Sequence, residues 1–166
     1  MIASSIGAAH LAAAVAALVL GTIVIGAAKA TPFHRMIGAG YVAAMVIVNL
    51  SALAIYRLTG HFEAFHALAL LNLAVLGRGV AAALIRRPGW LSIHYQFMAW
   101  SYVGLLAATG AEIVIRLGAK FGLIGGPWQI MAAGVAVAVL ATALGFVLLP
   151  RLGYSRTQLD ESHFAM

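Results

Sequence analysis

The chain contains no cysteine. That excludes disulfides, thiolate zinc sites, iron–sulfur clusters and covalently attached c-type haem. It is almost as poor in acids: Glu63, Glu112, Asp160 and Glu161 make up the whole set of 4. So few carboxylates argue against carboxylate-pair acid–base chemistry and against carboxylate-rich calcium or magnesium sites. Charge of either sign is scarce, at 8% of residues, where soluble domains carry roughly a quarter. A basic n-region is missing from Met1–Ser5, and the apolar run that follows is too long for a signal-peptide core, so the first apolar stretch is expected to be a retained span. What is present is apolar. Of 166 residues, 64% are hydrophobic, and the mean hydropathy is +1.03. The expected partner is the lipid bilayer. The formal charge of +6 does not point to nucleic acid, because Lys and Arg are scattered at the ends of apolar runs, where they suit membrane anchoring and anionic lipid.

A helix crossing a bilayer needs about 20 apolar residues. Five stretches provide them: Ser5 to Ala28, Pro32 to Tyr56, Glu63 to Ile85, Leu91 to Ile115 and Pro127 to Leu149. The expected fold is all-α: a polytopic bundle of five transmembrane helices forming one domain over residues 1–150. Pro150 is expected to stop the last helix, leaving a polar cytoplasmic tail over 151–166. Turn chemistry falls at Thr59-Gly60, at Arg87-Pro88-Gly89 and across Gly122–Pro127 (GLIGGP). Lys29, Arg35, Arg86, Arg87, Arg151 and Arg156 lie at one edge of these spans; Arg57, Arg116 and Lys120 lie at the other. The more basic edge is expected in the cytoplasm, with the N-terminus outside and the C-terminus inside. Trp90, Trp100, Trp128, Tyr56 and Tyr95 fall where interfacial aromatics belong. Alanine-rich faces on the first and fifth spans should let helices approach closely, and Asn49 and Asn72 are expected to hydrogen-bond between helices.

The stretch TPFHRMIGAGY, Thr31–Tyr41, closes one apolar run and opens the next. Thr31 can cap the new helix, and Pro32 suits its first turn. His34 lies in that turn, with Gly38 and Tyr41 on the same face at i+4 and i+7. His94, in WLSIHYQFMAW, opens a later span at the same edge. His10 and His66 each lie about one turn into their spans, at the opposite edge. The sequence therefore offers an inner pair, His34 with His94, and an outer pair, His10 with His66. Two neutral imidazoles from neighbouring helices are the axial ligand set of b-type haem. Gly38 leaves room beside His34, and Arg35, Arg86 and Arg87 on one side or Arg57 and Arg116 on the other could meet haem propionates. Equally, a histidine in the first turn of a membrane helix can sit among headgroups with its polar edge wet. His61 reads as a loop residue and His163 as a tail residue.

Arg78 lies inside the third span, in LNLAVLGRGVAAALIRR. An arginine there is costly and suggests a clamp for a propionate or another anion, the alternative being a side chain that snorkels to the surface. Glu112 and Arg116, at i and i+4, are expected to neutralise each other. His94 with Met98 would suit Cu(I), although methionines in apolar helices are usually packing. A histidine-bound zinc hydrolase lacks its carboxylates, and a transporter lacks the inverted repeat.

His34-Arg35 with Gly38 and Tyr41, then His66, Arg86-Arg87, His94, Met98 and Ser101-Tyr102, resemble the bacterial predicted membrane proteins catalogued as domain of unknown function 2306. The resemblance covers roughly half the chain and implies a small helical inner-membrane protein, with no activity attached. A fold-level similarity is to transmembrane di-haem cytochromes b, which usually take both haems' ligands from the same helices; here the outer pair comes from helices one and three. The expected function is electron transfer by haem b held between His34 and His94, with a second haem between His10 and His66, exchanging electrons with quinone or with another membrane subunit. Any enzymatic activity would be of the oxidoreductase type. The alternative function is a non-catalytic structural or accessory subunit of a larger membrane complex; the alternatives to haem as cofactor are copper or none.

Overall fold

The computed structural model describes residues 5–55 and 60–164. It is all-helical among the described residues: α1 (Ser5–Gly26), α2 (Pro32–Leu53), α3 (Ala64–Ile85), α4 (Trp90–Lys120) and α5 (Pro127–Phe164). Each of the first three helices has 22 residues, which at 1.5 Å per residue is about 33 Å, the thickness of a bilayer core. All five helices contain a stretch long and apolar enough to cross a membrane, Trp128–Leu148 in the case of α5. Large apolar side chains such as Leu11, Val15 and Val19 remain exposed along one face of α1. That outward apolar surface is what a lipid solvent requires.

The chain divides into two compact units, Met1–Leu76 and Gly77–Met166, with the division inside α3. In the first, α1 and α2 pack antiparallel. The α1 seam is Ala13, Ala17 and Gly21, all buried and four residues apart. Such a small-residue stripe lets backbones approach. Across it, Gly40 faces Leu20 and Gly38 faces Val24. Tyr41, Ala44, Met45 and Val48 of α2 fill the remainder of this core. Asn49 is buried, but its amide donates to the carbonyl of Met45 at 2.7 Å, a bond within its own helix rather than the expected one between helices.

In the second unit, α4 and α5 also run antiparallel. Gly145 lies against Trp100 and Val103, and Gly110 against Val137. Trp100 and Phe146 meet with ring centroids 4.6 Å apart.

Turns account for the helix ends. Thr31 caps α2, its hydroxyl accepting from the His34 N–H at 3.1 Å, with Pro32 at the first position. Lys29 donates to the carbonyls of Val24 and Ile25 at the end of α1, satisfying acceptors that a helix C-terminus leaves open. Between α3 and α4, Trp90 N–H bonds Arg87 O at 2.9 Å around Pro88 and Gly89. Gly89 has φ 76° and ψ 8°, which makes a type II turn. The fourth helix passes the expected Ile115 and ends at Lys120, because its stop is a backbone motif. Gly122 has φ +69°, its N–H bonds Ala119 O, and Leu123 N–H bonds Gly118 O at 2.8 Å, the Schellman pattern. At the start of α5, Gln129 Oε1 accepts from Gly125 and Gly126 N–H. Pro150 does not stop α5, which continues to Phe164; a proline removes one backbone donor but leaves neighbouring helical bonds to carry the chain past it. Tyr56, Arg57 and Thr59, expected at the outer edge, lie outside the described residues.

Candidate functional site

In the first unit the four sequence-singled residues of α2 and its neighbours take distinct roles. His34 is the third residue of α2 and half-buried, held at its backbone by the Thr31 cap. Gly38 follows one turn on and faces Val24 of α1, where a Cβ would make an ordinary contact at 3.7 Å. Tyr41 is 1% exposed and belongs to the α1–α2 core. His10 reaches across from α1 to the end of α2: its Nδ1 lies 3.1 Å from Val48 O and 2.9 Å from Ser51 Oγ. The Ser51 hydroxyl can donate to Ile47 O at 2.6 Å. His10 therefore carries its proton on Nδ1 and donates it to this pair of acceptors.

His66 is arranged the other way. It is 3% exposed, at the third position of α3, and its Nδ1 accepts the Glu63 N–H at 3.1 Å. This is the reach-back half of a capping box, with imidazole in place of the usual glutamate or glutamine. An Nδ1 that accepts leaves the neutral ring's proton on Nε2, and such a tautomer offers no lone pair to a metal. Phe62 lies beside it, with ring centroids 5.3 Å apart.

The second unit holds the more suggestive constellation. His94 lies one turn into α4 and half-buried, and its Nδ1 is 2.9 Å from the carbonyl oxygen of Gly79 on α3. Gly79 makes that reach possible. A Cβ on it would fall 2.9 Å from Met98 Sδ and 3.2 Å from Phe97 Cβ. A larger residue there would oblige the Met98 side chain to move. Because a carbonyl only accepts, His94 donates Nδ1–H and keeps its lone pair on Nε2. Trp90 lies one turn before, its ring centroid 6.4 Å from that of His94.

Arg78 precedes Gly79. Its guanidinium carbon lies 5.8 Å from the Phe97 ring centroid. Arg78, Ala81, Ala82, Ile85, Arg87, Trp90 and Ile93 line an open cleft of about 100 Å³. Composition drew attention to Arg78 but not to Gly79, although LGRGV brackets the arginine with two glycines. The cleft is not legible in the sequence, where Arg87-Pro88-Gly89 reads only as a turn and Trp90 only as an interfacial aromatic. Glu112 and Arg116 form the expected ion pair, with both side chains 56% exposed; surface pairs of this kind contribute little. Met98 packs its sulfur against Gly79. No group of three or more His, Cys, Asp or Glu side chains comes together among the described residues.

Five apolar helices, small-residue seams and the lack of strands among the described residues define a multi-pass, all-helical membrane protein. Within that class, residues 7–152 match the family model described as predicted membrane protein, domain of unknown function 2306, and the chain belongs to this family. Neither a curated protein nor a solved structure matches it.

Proposed function

We propose that this chain is a membrane electron carrier that binds b-type haem, with His94 as an axial ligand. The observation that carries this is the bond from His94 Nδ1–H to Gly79 O at 2.9 Å. A ligating histidine characteristically donates its other ring N–H to a carbonyl or carboxylate, which fixes the tautomer, aims the ring and raises the basicity of Nε2. His94 has that bond. The second axial nitrogen is assigned from chain order. Alternating spans are expected to start α2 and α4 at the same membrane edge, and His34 stands in the first turn of α2 as His94 stands near the start of α4. The Lys and Arg bias supports a cytoplasmic position for this edge, and the proposed location is a bacterial inner membrane. Bound haem supplies one-electron chemistry; the protein supplies ligands and an apolar shell that sets the potential. We propose one haem rather than two, since the His66 tautomer is committed to capping α3.

The test is an absorbance spectrum of detergent-purified protein from haem-replete cells. The expected result is a Soret band with an α band that sharpens on dithionite reduction. His94→Ala should abolish both, while His10→Ala should leave them intact. A colourless wild-type protein, or a His94→Ala variant with an unchanged spectrum, would overturn the proposal.

A further inference from the structure

Two of the three arginines at the corner where α3 gives way to α4 line a cleft at different depths; the third, Arg86, lies over the Trp90 ring, 5.6 Å from its centroid. Arg87 stands in the turn beyond the end of α3. Arg78 lies seven residues before that end, about 10 Å further along the helix axis. Between them the cleft wall is apolar, made of Ala81, Ala82, Ile85 and Ile93, with Trp90 at the turn. Both arginines are exposed, and neither has a carboxylate partner among the described residues. The chain has 4 acids, and Glu112 is already engaged by Arg116. The Phe97 ring meets only part of the Arg78 charge. A guanidinium in an apolar span is costly until an anion reaches it.

The shape of the cleft specifies the anion. A free phosphate would meet the guanidiniums but leave the apolar wall uncovered. A phosphodiester carrying acyl chains satisfies both, with its headgroup in the cleft and its chains along Leu84 and Ile85, which are 77% and 61% exposed. Guanidinium forks suit phosphate oxygens, and an indole suits the interface where a headgroup sits. We propose that this cleft is a specific site for an anionic phospholipid. Arg78, which the sequence suggested as a clamp for a propionate or another anion, is thereby assigned to a lipid phosphate. The assignment is independent of haem.

Native mass spectrometry of the full chain, in detergent with equal phosphatidylglycerol and phosphatidylcholine, tests it. Wild type should retain phosphatidylglycerol several-fold over phosphatidylcholine. Arg78→Gln and Arg87→Gln should each bring the two lipids to parity. Arg86→Gln removes the same charge outside the cleft lining and should keep the preference. Ala81→Leu fills the cleft without touching charge and should reduce the preference. Excess inorganic phosphate should not displace the lipid. Equal retention of both lipids by wild type, an equal loss in Arg86→Gln, an unaltered Ala81→Leu, or displacement by phosphate would each overturn the proposal.

Discussion

What a histidine can do depends on which nitrogen holds its proton. His94 and His10 both donate through Nδ1, to Gly79 O in the one case and to Val48 O and Ser51 Oγ in the other. His66 accepts at Nδ1 from the Glu63 N–H. The positions of these rings are plain in the sequence, and so is the Thr31 cap, whose partner is three residues away. The tautomers of His94 and His10 are not plain, because their partners lie 15 and 38 residues distant. His66 is a local feature that was missed, since imidazole is an unusual occupant of a capping box. If it is a cap, glutamine should replace it. His66→Gln is expected to keep the thermal midpoint of wild type in detergent, whereas His66→Ala loses about 0.5–2 kcal/mol, as cap deletions do. Equal losses in the two variants would show that the ring does something a glutamine amide cannot.

At the scale of the helix, the spans were legible and their ends less so. Length and hydropathy suffice for the existence of five helices, because a segment in lipid must satisfy its own backbone. Ends depend on individual bonds. Lys120 ends α4 only because Gly122 adopts a positive φ and closes the Schellman pair, while Pro150 leaves α5 unbroken. The α1–α2 seam was visible as an excess of alanine, but its register was not: a run in which most positions are alanine does not say which of them face the partner. Ala17 is 0% exposed, while Ala16 beside it is exposed. Ala17→Leu is therefore expected to lower stability by about 1–3 kcal/mol through overpacking. Ala16→Leu should be nearly neutral. Thermal unfolding of both in one detergent decides it, and equal effects would mean that the seam lies elsewhere.

For the molecule as a whole, five crossings are expected to leave the two ends of the chain on opposite sides of the bilayer, with successive connections on alternate sides. The basic residues of the α1–α2 and α3–α4 connections, Lys29, Arg86 and Arg87, lead us to expect those connections in the cytoplasm. Since the natural chain contains no cysteine, single cysteines can be introduced without first removing any. Ser5→Cys and Leu123→Cys should react with a membrane-impermeant maleimide added to intact spheroplasts. Ala28→Cys and Ser155→Cys should react only after permeabilisation. Labelling of Ser5→Cys and Ser155→Cys from the same side would mean an even number of crossings. His34 and His94 would then no longer be bound by alternation to one edge, and the proposed bis-histidine haem would lose its topological basis. If instead the alternation holds with its sense reversed, the two histidines still share an edge. The two proposed sites would then both be expected in the outer leaflet.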